Sequence, residues 1–155
     1  WNTSPMILEH RPGPSKGAIW ADLPEQKVIF IGDTVLVDQP PYLANANIPQ
    51  WQEQLNKLNT KHYQDYLIVS GREGLIPHDS ISAQKQFLRK VSRGLERLAK
   101  RDAPPEKTEN LINNLIKEFN FPKKHEDRYR QRLQHGLYQC YTKQYQPSNE
   151  DEEDK

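Results

Sequence analysis

Several polar groups stand directly after apolar, β-branched runs, where a strand end would hand them to solvent. The first is Asp33, in "VIFIGDTVLVDQPP", preceded by Gly32. Glycine lets the backbone turn or approach another segment closely, and the carboxylate is then delivered at a sheet edge, where ligand-binding groups collect. Such an Asp can serve a functional site at the sheet edge, or hydrogen-bond its own backbone and cap Thr34. Arg72 and Glu73 follow a second run, in "LIVSGREG". The planar fork of Arg72 suits a phosphate or carboxylate ligand, so the pair is a candidate substrate contact. Equally, Arg72 would neutralise Asp33 if the two strand ends met.

His10 precedes a Pro-Gly turn and His78 follows the Arg72 turn. Both would approach Asp33 if the strand ends cluster, giving a mixed histidine and carboxylate set of the type zinc accepts. Read plainly, they are surface loop histidines. His62 has no partner pattern, and His125 and His135 are separated by about 1000° of helical rotation, so they share no face. Ser70 lacks the Gly-x-Ser-x-Gly frame of a nucleophile elbow. Cys140 falls on the apolar stripe of a helix and reads as a core thiol. Trp20, Trp51 and Tyr42 are expected to pack around a sheet.

The elements that must position these groups are legible as periods. "PMILEH", "AIWADL" and "KVIFIG" read as three strands joined by "RPGPSKG" and "PEQ" turns, hence an antiparallel meander. In the second, Trp20 and Asp22 share one side with Ala18, opposite Ile19, Ala21 and Leu23. The third is apolar throughout, which predicts a strand covered on both faces, and a β-type pattern resumes after Asp33. Trp51, Leu55 and Leu58 then fall at helical spacing, entered at Asn47 or Pro49. "YLIVSG" is a fourth strand beside the first sheet. Three further helices are expected: one beginning near Ser82 with Phe87, Leu88, Val91, Leu95 and Leu98 on one face, one with Pro105 at its first position, and one from about Lys124.

Composition bounds the function classes. The 155 residues are 34% hydrophobic with a mean hydropathy of -0.99 and a formal charge of +1. The terminal "NEDEEDK" hides a basic body: without it, 21 basic side chains face 16 acidic ones. That excess is spread along the chain without an arginine-rich or aromatic-interleaved stripe, so no nucleic-acid partner is expected. No apolar run approaches the roughly 18 residues that span a bilayer, so no membrane partner is expected. The single cysteine permits no intrachain disulfide and suits a reducing compartment, read as cytoplasmic. The first residue is Trp1 rather than Met, which reads as an excerpt or processed form of a longer protein.

The stretch "GAIWADLPEQKVIFIGD", together with "LIVSGREG", resembles the second half of the metallo-β-lactamase-fold hydrolases, a superfamily that includes glyoxalase II. The resemblance covers residues 7 to 76. It implies an α/β fold: the second half of an αββα sandwich with an antiparallel-rich sheet, followed here by three C-terminal helices. It implies that Asp33 is the carboxylate that bridges two metal ions, which generate a hydroxide nucleophile. This chain departs from the pattern at three points. Gly13-Pro14-Ser15 stands where the family has Gly-His-Thr, Arg72 stands where a histidine ligand follows the late strand, and the His-x-His-x-Asp-His motif of the first half is absent.

The resulting expectations are a half-domain over 1–81, a helical extension over 82–145 and a disordered acidic tail over 146–155. Asp33 and His10 are the metal candidates; Arg72 and Glu73 are the substrate candidates. Zinc or another divalent metal belongs to the completed protein, with no tight binding by this chain alone. The leading function is a metal-dependent hydrolase with degenerate ligand positions, acting on a small molecule. The alternatives are a non-catalytic binding member of the same fold and an interaction protein built on the C-terminal helices. Half a sandwich would leave an apolar sheet face for a homodimer partner or a first half to cover.

Overall fold

The structure is a computed structural model that describes residues 4–145; the expected acidic tail, 146–155, lies outside them. Five strands form one sheet in the order β1 (Ile7–His10), β2 (Ile19–Leu23), β3 (Val28–Phe30), β4 (Leu67–Ser70), β5 (Gly74–Ile76). All neighbours are antiparallel except β3 and β4, which are parallel. Helix α1 (Ile48–Leu58) connects these two, as a parallel pair requires a crossover. Helices α2 (Asp79–Ala99), α3 (Glu109–Phe119) and α4 (Glu126–Tyr145) follow β5. The molecule is thus α/β with a mixed sheet and four helices.

Strand alternation divides the sheet into two faces. Trp20, Ile29, Ile31, Ile68 and Ile76 are buried on the inner face with the apolar stripes of the helices, including Trp51 and Leu55 of α1, Leu88 and Leu95 of α2, Leu115 of α3, and Leu133 and Leu137 of α4. The cross-strand register puts Leu8, Ile19, Phe30, Leu67 and Leu75 on the opposite face, where each is 44–66% exposed. All the helices therefore share one core with one side of the sheet.

Three sequence expectations are corrected. The apolar run of β3 is covered on one face only, since Phe30 points outward among the exposed set. No strand follows Asp33: residues 35–47 form an irregular segment that buries Val35, Leu36 and Leu43. Both edges of β3 are already paired, and Pro40-Pro41 offers no N–H to a ladder. Finally, β5 is a strand with no counterpart in the sequence expectations, because three residues are too few to show a period. Helix α2 also starts three residues ahead of Ser82, with Asp79 in its first turn, where a carboxylate favours the N-terminal end of the dipole.

Candidate functional site

The parallel register of β3 and β4 assembles the site. Val28 pairs with Leu67, Ile29 with Ile68 and Phe30 with Val69. Continued past the strand ends, the same offset sets Gly32 beside Gly71 and Asp33 beside Arg72. The backbone follows it: the Ile31 N–H donates to the Val69 carbonyl at 2.9 Å and the Gly71 N–H to the Gly32 carbonyl at 2.8 Å. Both positions favour glycine. Gly32 has φ +54°, a left-handed conformation that strains a side chain. A Cβ on Gly71 would lie 3.2 Å from the Gly32 carbonyl carbon and 3.4 Å from Asp33 Oδ1. The carboxyl ends of adjacent parallel strands are where open α/β sheets bind ligands, so this edge is the natural place to seek a site.

Asp33 and Arg72 meet there as a two-pronged ion pair. Arg72 Nε donates to Asp33 Oδ1 at 3.0 Å, and Nη2 donates to Oδ2 at 2.8 Å. The hydrogen bond to Asp33 is the main cause that raises the Arg72 pKa. With side-chain exposures of 44% and 37%, the pair is solvent-screened and contributes at most about 1 kcal/mol to stability. Its consequence is occupancy, because both carboxylate oxygens already hold a cation that does not deprotonate.

A buried threonine holds the segment in place. The indole N–H of Trp20 donates to Thr34 Oγ1 at 2.9 Å, and that of Trp51 donates to the Thr34 carbonyl at 2.8 Å. Thr34 Oγ1 in turn donates to the Ile31 carbonyl at 2.6 Å. The two tryptophans thus pack as expected and also fix the turn that carries Asp33.

Beyond Thr34, residues 35–47 are pinned from two sides. Ser70 Oγ lies 2.9 Å from the Val35 carbonyl and 2.7 Å from Glu73 Oε2, and its one proton serves either acceptor. Gln39 Nε2 donates to Glu73 Oε1 at 2.5 Å. From α4, Arg132 Nη1 donates to Gln39 Oε1 and to the Pro40 carbonyl, both at 2.8 Å. Tyr42 lies between two guanidinium groups, with the Arg72 carbon 4.7 Å and the Arg132 carbon 4.0 Å from the ring centroid. Glu73 is therefore engaged in holding this segment.

A cleft of about 290 Å³ opens beside the ion pair, lined by Pro14, Ser15, Ile31, Asp33, Tyr42 and Trp51 among others. The structure thus brings Pro14, Asp33 and Arg72 to one edge. His10 does not complete a ligand set: its Nε2 is 2.6 Å from the Lys16 carbonyl oxygen. His78 Nε2 is 2.9 Å from the Tyr66 carbonyl oxygen. His62 packs edge-on against Tyr63, and Cys140 is buried, as its place on the stripe predicts. Among the described residues, no group of three or more His, Cys, Asp or Glu side chains could hold a metal ion.

The donors at this edge do not fit a divalent metal. One carboxylate, Asp33, lines the cleft; both its oxygens accept from Arg72, and no histidine or thiol is among the lining residues. The sequence reading missed the roles of Thr34, Gln39 and Arg132. Tyr42 it assigned to packing, whereas the ring is 40% exposed and flanked by cations. Arginine 132 is 90 residues from Tyr42 and carries no local signal of that contact. No protein-family model matches this chain, and no match to it is found among curated proteins.

Proposed function

We propose that this chain is half of a metallo-β-lactamase-like sandwich that serves as a binding module, with a guanidinium standing in for metal ions. The observation that carries the reading is the Arg72–Asp33 pair, formed by the residue expected to bridge two metals and the residue that replaces a histidine ligand. Pro14, which replaces the other histidine, lines the same cleft as Asp33. The uncovered outer face of the sheet supports the sandwich part of the reading. Sheet-on-sheet packing buries such a face about 10 Å from its partner, and a second copy or a first half of the fold would supply the covering layer.

A second reading, a metal-dependent hydrolase whose remaining ligands come from another half, draws on one feature: Asp33 remains accessible at the mouth of its cleft. Zinc content of this chain tests the first reading, and that of the chain joined to a first half tests the second, which predicts metal only in the joined form. After incubation with zinc and desalting, the binding-module reading predicts well under one equivalent, unchanged in Asp33→Ala. One or more equivalents that disappear in Asp33→Ala would reverse the assignment.

A further inference from the structure

Helix α4 carries two kinds of arginine. Arg130 follows Glu126 by one turn and donates to its carboxylate at 3.1 Å, and it also reaches Asn113 of α3. Arg128 and Arg132 occupy another stripe, also one turn apart, and neither has a carboxylate within salt-bridge distance among the described residues. Like charges at this spacing destabilise a helix, which an acidic residue at either position would relieve.

Arg132 is the better anchored of the two. Its guanidinium lies over Tyr42, and Nη1 is committed to Gln39 and Pro40. Among the described residues no acceptor meets its Nε or Nη2, and neither nitrogen is buried without a partner, so both remain open to solvent. Arg128 makes no hydrogen bond to the described residues and is exposed. Burial is the largest influence lowering the Arg132 pKa; the charges of Arg72 and Arg128 act in the same direction, while Tyr42 and Tyr129 oppose them.

These groups face a cleft of about 420 Å³, lined by Tyr42, Leu43, Ala44, Arg128, Gln131, Arg132, His135 and Gly136. One wall is cationic, from Arg128 and Arg132 at i and i+4 of α4. The other is the exposed edge of Tyr42, whose ring is flanked by Arg72 and Arg132, together with Ala44. That volume exceeds what a bare oxyanion needs, and the apolar wall would be idle against one. We propose that this cleft binds a small organic phosphate, its dianion held by Arg128 and Arg132 and its organic body lying along the exposed edge of Tyr42 and Ala44. Two neighbouring guanidinium forks suit a dianion better than a single carboxylate, whose one charge would leave the second cation uncompensated. The inference is independent of how Asp33 is read, because Arg128 and Arg132 do not touch it.

The test is calorimetric titration of the 155-residue chain at fixed chloride with phenyl phosphate, inorganic phosphate and benzoate. Saturable one-site binding of phenyl phosphate is expected, several-fold tighter than either of the other two. Arg128→Gln should weaken it about tenfold; since Arg128 is exposed and makes no hydrogen bond, folding is not at issue. Arg132→Lys, which keeps the charge and removes the fork, should weaken it as well. Arg93→Gln, an exposed arginine on α2, should leave it unchanged. Absence of saturable binding, benzoate binding as tight as phenyl phosphate, insensitivity to both α4 variants, or an equal loss in Arg93→Gln would each overturn the proposal.

Discussion

The two faces of the sheet are made of nearly the same residues and meet opposite fates. Trp20, Ile29, Ile31, Ile68 and Ile76 point inward and are buried beneath four helices, while Leu8, Ile19, Phe30, Leu67 and Leu75 point outward and stay exposed. The polar residues run against a simple hydrophobicity rule, since the inner face contains Asp22 and Ser70, both buried. Cover, then, separates the faces more than composition does. A sheet that is apolar on both sides and layered on one has the chemistry of an inner sheet in a layered fold.

The comparison breaks most readily at its inner side. Trp20 is fully buried, with its indole N–H on Thr34 Oγ1. Trp20→Ala should cost about 3–5 kcal/mol, since it leaves a large cavity and removes a buried hydrogen bond. Phe30→Ala, on the neighbouring strand but the outer face, should cost a small fraction of that. Urea denaturation of both variants checks the contrast, and equal losses would show that the outer face is packed in solution.

A smaller effect sits at the buried acid. Asp22 lies on the inner face, its Oδ1 has no hydrogen-bond partner, and burial raises its pKa above the ordinary 3.8. The folded chain therefore holds the Asp22 proton more tightly than the unfolded chain does. The stability that this group contributes is present in full below pH 3.8 and is lost as pH rises through the raised value. Asp22→Asn should consequently be more stable than the wild type at pH 7, by roughly 1–2 kcal/mol, with the gap shrinking towards pH 4. Denaturation midpoints of both proteins at the two pH values measure it, and a gap independent of pH would contradict the assignment.

How much of this was legible in the sequence follows from the range of each interaction. Strands β1 to β4 and the helices announce themselves by local period, and the pairing of Trp20 with Asp22 on one side of β2 follows from alternation alone. Asp33 and Arg72 were visible as strand-end residues, and one of the two arrangements open to them, mutual neutralisation, is the one the parallel register creates. The register itself was not legible, because it depends on how α1 returns the chain to β4. The same limit hid the Tyr42–Arg132 stack, which joins a coil segment to the last helix. The irregular path of residues 35–47 escaped because its apolar residues imitate strand alternation while the free edges of β3 had already been used.

The smallest expected change in stability, with the clearest change in behaviour, lies on the outer face. Leu67 is exposed on that face at the start of β4, opposite Val28 in the register. Leu67→Lys should alter unfolding free energy by no more than about 0.5 kcal/mol, because no packed neighbour is lost. If the face is built to be covered, the wild-type chain should associate with rising concentration or bind a hydrophobic dye, and the lysine should suppress both. Sedimentation velocity across a concentration series, with dye fluorescence in parallel, separates the cases. A wild-type chain that stays monomeric and dark to the dye would mean that the exposed face needs no partner, and the sandwich reading would lose its main structural support.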